Sequence, residues 1–154
     1  MTLPHLSGTT LSGLPRQFPA DLPEAPVALV FGFAHAARGD VGLWKGALED
    51  LGLPYLSLPT TVDDVQPQAL DSIAEAMRAH VPAAAWDGIV QVHRGGGALL
   101  EALGWRPDLH AKILVTGRTG TVLAAHGHGA FSDEAFRAIA RALTPDPERP
   151  PVGT

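Results

Sequence analysis

The sequence predicts an α/β fold, a central mixed β-sheet with helices on both sides in three layers. Three observations lead there. Val27-Ala-Leu-Val-Phe-Gly-Phe33 is a continuous apolar run of strand length, the pattern of a strand covered on both faces. Seventeen glycines and fourteen prolines divide the 154 residues into short segments, which suits alternating strands and helices better than a helical bundle. The last third reads as two short strands and then a helix.

Taken in order, residues 1–24 are rich in Gly, Pro, Ser and Thr with isolated apolar residues, and read as an irregular arm with room for a short edge hairpin. The domain proper is expected over 25–143. After the first central strand, Gly39 turns the chain and Asp40 offers an N-cap. Trp44, Ala47, Leu48 and Leu51 then recur at helical spacing, with Gly52 as the terminating residue. Pro54 to Leu58 is a second strand, and strand–helix–strand implies a right-handed crossover and a parallel pair.

A second helix is expected from about Gln66 to Val81, with Leu70, Ile73, Ala74, Met77 and Val81 on one face, and Asp63 and Asp64 complementing its positive end. Gly88 to His93 reads as a strand, and Ala98 to Leu103 as a short helix closed by Gly104. Ala111 to Thr116 and Thr121 to Ala125 form a hairpin across Gly117-Arg-Thr-Gly120. Ser132 caps a last helix that buries Phe136, Ile139, Ala140 and Leu143. Residues 144–154, with four prolines, read as a disordered tail.

Composition narrows the function. The net charge is −5 and the eleven Lys and Arg are scattered, so nucleic acid and anionic membranes are poor partners. The longest apolar stretch, Ala25 to Ala34, is too short to span a bilayer, and the start lacks a basic-then-apolar leader. The expected location is the cytoplasm. There is no cysteine, hence no thiolate nucleophile, disulfide or sulfur-bound zinc. No cofactor is expected. The glycines Gly95 to Gly97 fail the dinucleotide pattern because its third glycine would fall at Leu100, and no P-loop motif occurs. A tight turn explains them.

The element order and several stretches resemble the thioredoxin-like superfamily, and its peroxiredoxin-type branch in particular. The similarity covers roughly Leu6 to Leu143. It rests on Ala25 to Phe33 for the first central strand, Asp40 to Gly52 for the next helix, Gly88 to Gly104, and Ile113 to Val122 for the final hairpin. There Thr116 or Gly117 stands where an Asp is common. Arg78-Ala-His-Val-Pro82 and Gly127-His-Gly-Ala-Phe-Ser-Asp-Glu134 are similar, more narrowly, to the thioredoxin-like assembly factors of the mitochondrial ATP synthase. The resemblance implies a thioredoxin-like three-layer sandwich.

The departures from that family bear on function. Its reactive cysteine belongs in the turn after the first central strand, which here reads Ala34-His-Ala-Ala-Arg-Gly-Asp40. Its cis-proline belongs immediately before the final hairpin, where this chain has Asp108-Leu-His-Ala111, with Pro107 too far upstream. Both halves of a thiol redox site are missing.

Two candidate sites follow. His35, Arg38, His110 and Ala111 mark the old active-site face, and would meet a protein or small ligand. His35 and Arg38 could supply an acid/base and an anion clamp, although ordinary loop residues are the plainer reading. His126 and His128, two apart at a strand end, could join His93 or His110 in a three-histidine metal site with an open position. No adjacent carboxylate ligand is evident, and the flanking glycines favour a simple turn. The leading expectation is a non-catalytic binding or assembly module, with a homodimer among its plausible states. The rival is a metal-dependent or histidine-based enzyme using His93, His126 and His128.

Overall fold

The computed structural model describes residues 1–144; the tail expected over 144–154 lies, from residue 145 on, outside the described residues. Seven strands and four helices follow one another: β1 (Leu6–Thr10), β2 (Pro15–Phe18), β3 (Val27–Gly32), α1 (Arg38–Asp50), β4 (Tyr55–Pro59), α2 (Asp71–His80), β5 (Val90–Arg94), α3 (Gly96–Leu103), β6 (Lys112–Thr116), β7 (Val122–His126) and α4 (Asp133–Leu143). The strands form two ladders, β2-β1-β5 and β4-β3-β6-β7. Parallel bridges between Ser57 and Ile89, and between Thr60 and Val92, join β4 to β5 and bring the ladders side by side.

The predicted α/β layering is present, and β3 shows why. Its odd residues Val27, Leu29 and Phe31 face one core with α3, Leu6, Phe18 and Trp105. Its even residues Ala28 and Val30 face a second core with Trp44 and Leu48 of α1 and Ile139 and Leu143 of α4. Period-two alternation thus buries an unbroken apolar run on two sides. β3 pairs in parallel with β4 and antiparallel with β6, so the sheet is mixed. The carboxyl ends of β3 and β4 therefore lie at the same pole as the start of β6.

Several expectations need correction. The first 24 residues do carry the short hairpin, β1 antiparallel to β2, but the segment is less irregular than expected, because β1 is flanked on its other side by β5. The Ser, Thr and Gly composition that reads as loop has a packing cause. A side chain at Gly8 would strike the Gln91 carbonyl and Val90, so the strand can lie close only without one. Asp40 is not the N-cap of α1; that position is Ala37, and Asp40 sits inside the first turn. α2 begins at Asp71 behind a 3-10 turn over Pro67–Leu70, and Asp64 reaches away from it to accept the Gly95 amide at 2.9 Å. Ile73 is exposed rather than on the buried face. Trp105 and Trp44 are buried in the two separate cores, and Trp86 is half-buried. Ser132 does cap α4, accepting from the Ala135 amide at 3.1 Å.

Candidate functional site

Three segments converge at the pole where β3 ends: the turn from Phe33 into α1, the approach to β6 at Asp108–Ala111, and the loop after β7. Asp40 joins them. Its Oδ1 accepts from the Phe131 amide at 2.8 Å and its Oδ2 from the Ala111 amide at 2.7 Å. The same carboxylate lies in the first turn of α1, where the helix dipole favours negative charge. Ala111 closes the stretch, Asp108 to Ala111, in which the resemblance implies a proline. A proline at position 111 would have no N–H to donate to Asp40.

A second polar knot lies beside it. Lys112 is only 1% exposed, yet its ammonium donates to Asp108 Oδ1 at 2.9 Å and to the Gly127 carbonyl at 2.8 Å. Asp108 also accepts from the His110 amide at 2.9 Å, closing a turn two residues long. Burial opposes ionisation of Asp108, but the Lys112 ammonium and the His110 amide outweigh it and hold the carboxyl below its usual range. Gly127 is in turn covered by Trp105, whose indole occupies the space a side chain there would need. Asp40, Asp108 and Lys112 build the site although no sequence motif marks them as functional. The available signal was a lysine opening an otherwise apolar strand, Lys112-Ile-Leu-Val, with an aspartate four residues before it.

The predicted face forms in part. His35 and Arg38 are both exposed, with Arg38 Nη1 3.5 Å from His35 Nε2. His110 is half-buried at the edge of the same pole. Ala111 is fully buried with its amide committed to Asp40, so it holds the face and cannot itself touch a ligand. Leu109 and Leu43, unpredicted, stand out at 61% and 58% exposure.

The three-histidine centre does not form. Among the described residues no group of three or more His, Cys, Asp or Glu is placed to hold a metal. His93 lies on β5, and His126 on β7 is four strands away, about 19 Å at about 4.8 Å per strand. His126 leans on Trp44, with ring centroids 5.1 Å apart, and its Nε2 donates to the Gly129 carbonyl at 3.1 Å. His128 is exposed, and the His93 Nδ1 is buried without a partner. Nor is the Gly95–Gly97 turn an open anion cradle. Its Gly95 amide is taken by Asp64, and Gly96 and Gly97 lie against the Thr61 and Val62 carbonyls.

No family model matches the chain, and no curated protein matches it. Solved structures do. An exposed lipoprotein thioredoxin of Streptococcus pneumoniae is 14% identical with a TM-score of 0.56, over 90% of this chain and 97% of that one. BsSco, of the Sco family of cytochrome c oxidase assembly proteins, is 14% identical with a TM-score of 0.59, over 93% and 94%. A thio-disulfide isomerase of Thermus thermophilus is 19% identical with a TM-score of 0.55, over 92% and 94%. The fold is thioredoxin-like, and the chain that adopts it has no cysteine.

Proposed function

We propose that this chain is a non-catalytic binding or assembly module, presenting the pole around His35, Arg38 and His110 to a protein partner. The observation that carries the reading is the Asp40 carboxylate, which ties Ala111 and Phe131 together across the place where the fold's thiol chemistry would sit. Asp40, Asp108 and Lys112 are committed to bonds within the chain, while His35 and Arg38 are exposed.

The surface has the composition of a protein contact. Arg38, His35 and His110 supply donors, His110 follows the exposed Leu109 in the chain, and α1 carries the exposed Leu43. The outer face of α1 also carries Gly39 and Gly46 beside Leu43, and a side chain at either glycine would meet nothing within 4 Å. Glycine in a helix is less favourable than alanine by about 1 kcal/mol, so packing within the chain gives no reason for either. The partner that suits this face is apolar with acidic groups. Two further observations support an assembly role: the likeness to BsSco, and the short sequence matches to ATP synthase assembly factors. The place within the peroxiredoxin-type branch belongs to the same proposal, supported by the stretches from Ala25 to Phe33 and from Ile113 to Val122.

The test is the double variant His35→Ala/Arg38→Glu, used as bait beside the parent protein. Loss of the partner captured by the parent, at an unchanged melting temperature, supports the reading. Retention of that partner contradicts it.

A further inference from the structure

At the opposite pole, a cleft of about 480 Å³ opens between the C-terminal half of α1, the start of β4 and the connection from α2 to β5. Four polar side chains line it, namely Lys45, Glu49, Tyr55 and His80, against an apolar wall that includes Val81 and Ile89. Lys45 and Glu49 stand four apart on one helix, a spacing that ordinarily lets opposite charges pair. They do not pair here: the ion pair found among the described residues is that of Lys112 with Asp108. Glu49 instead accepts the phenolic proton of Tyr55. That leaves Lys45, a half-buried residue, without a carboxylate partner among the described residues, and the exposed His80 and Glu49 lining the cleft with a ring and a second carboxylate oxygen open to it.

We propose that this cleft binds a small zwitterion with an apolar body, the chemistry of a free aliphatic α-amino acid. Its carboxylate meets Lys45 and His80, its ammonium meets Glu49, and its side chain lies along Val81. A plain carboxylic acid would set its charge beside Glu49 without compensation, and a plain amine would do the same beside Lys45. Only a ligand carrying both charges matches both ends. The Tyr55 phenol holds the Glu49 carboxylate in place, and stays neutral because burial and that carboxylate both oppose its ionisation. This inference is independent of the partner-binding face.

The probes are L-leucine, 4-methylpentanoate and 3-methylbutylamine, titrated into the full chain and followed by amide chemical shifts. L-leucine is expected to give saturable shifts in Lys45–Glu49 and His80–Ile89, with the acid and the amine weaker by about tenfold or more. Lys45→Met and Glu49→Gln, the first half-buried and the second exposed and both expected to fold, should each weaken leucine by about tenfold. Absence of saturable shifts in the cleft overturns the proposal. So does equal binding of the acid or the amine, or leucine binding unchanged in both variants.

Discussion

Asp40 Oδ2 accepts a 2.7 Å hydrogen bond from the amide of Ala111, linking the first turn of α1 to the entrance of β6. With the bond from Phe131 to Oδ1, one carboxylate ties together α1, the entrance of β6 and the loop after β7. Hydrogen bonds to a charged group contribute about 1.5–3 kcal/mol each. Asp40→Ala should therefore destabilise the protein by about 3 kcal/mol, discounted because Asp40 is partly exposed. Asp40→Asn keeps one acceptor oxygen and should cost about half as much. Denaturant unfolding of the pair checks this. Equal losses in the two variants would show that the two bonds are not separate contributions.

Ala111→Pro tests the latch from its other end. Proline deletes the donor without touching Asp40, and the chain should lose about 2 kcal/mol or more. In the Asp40→Ala background the same change should cost clearly less, because the bond is already gone. A double-mutant cycle by chemical denaturation reads the coupling.

Gly127→Ala should be poorly tolerated although the residue lies in a loop, because it is buried there. The added methyl would collide with the Trp105 indole, which lies directly over the glycine. Overpacking of this kind costs about 1–3 kcal/mol. The displaced indole should also change tryptophan emission. Gly129→Ala is no control, since that glycine has φ 84°, while Gly42→Ala, in open helical surface, should be neutral to stabilising.

The two ends of the pH scale should be governed by different groups. Asp108 is held below its ordinary value of 3.8, so its stabilisation is complete above that pH. As pH falls further, the unfolded chain takes up the proton first and stability drains away. Asp108→Asn should flatten the acid limb. Tyr55 is raised above its ordinary value of 10.0, so stability is lost as pH climbs past 10, where the unfolded phenol ionises and the folded one resists. Because the chain has a single tyrosine, absorbance at the phenolate band reports Tyr55 directly. An ordinary titration near 10.0 in the native protein would refute the Glu49–Tyr55 pairing.

What was legible in the sequence was whatever periodicity and punctuation encode. The run at Val27–Phe33 gave a strand buried on two faces, Ser132 before Asp133 and Glu134 gave the last helix, and the missing cysteine removed a whole chemistry. Tertiary constraints were invisible. Gly8 and Gly127 look like loop residues, yet each is a point where another backbone or an indole comes too close for a side chain. Asp40 offers the same sequence signal as a helix cap, and only the fold brings Ala111 and Phe131 to its two oxygens. The histidine cluster failed for a related reason. Spacing places His126 and His128 near each other, but nothing local records that β4, β3 and β6 separate them from His93.

The central claim, that the pole built on Asp40 is a partner-binding face, is tested most directly by site-resolved photo-cross-linking. A photoreactive residue is placed in turn at His35, Leu109 and the exposed control position Ile73 on α2, and the protein is irradiated in the cell. One discrete adduct from positions 35 and 109, absent from position 73 and abolished by Arg38→Glu, is the predicted result. An adduct of the same size and yield from position 73, or none from either pole residue, would contradict the account.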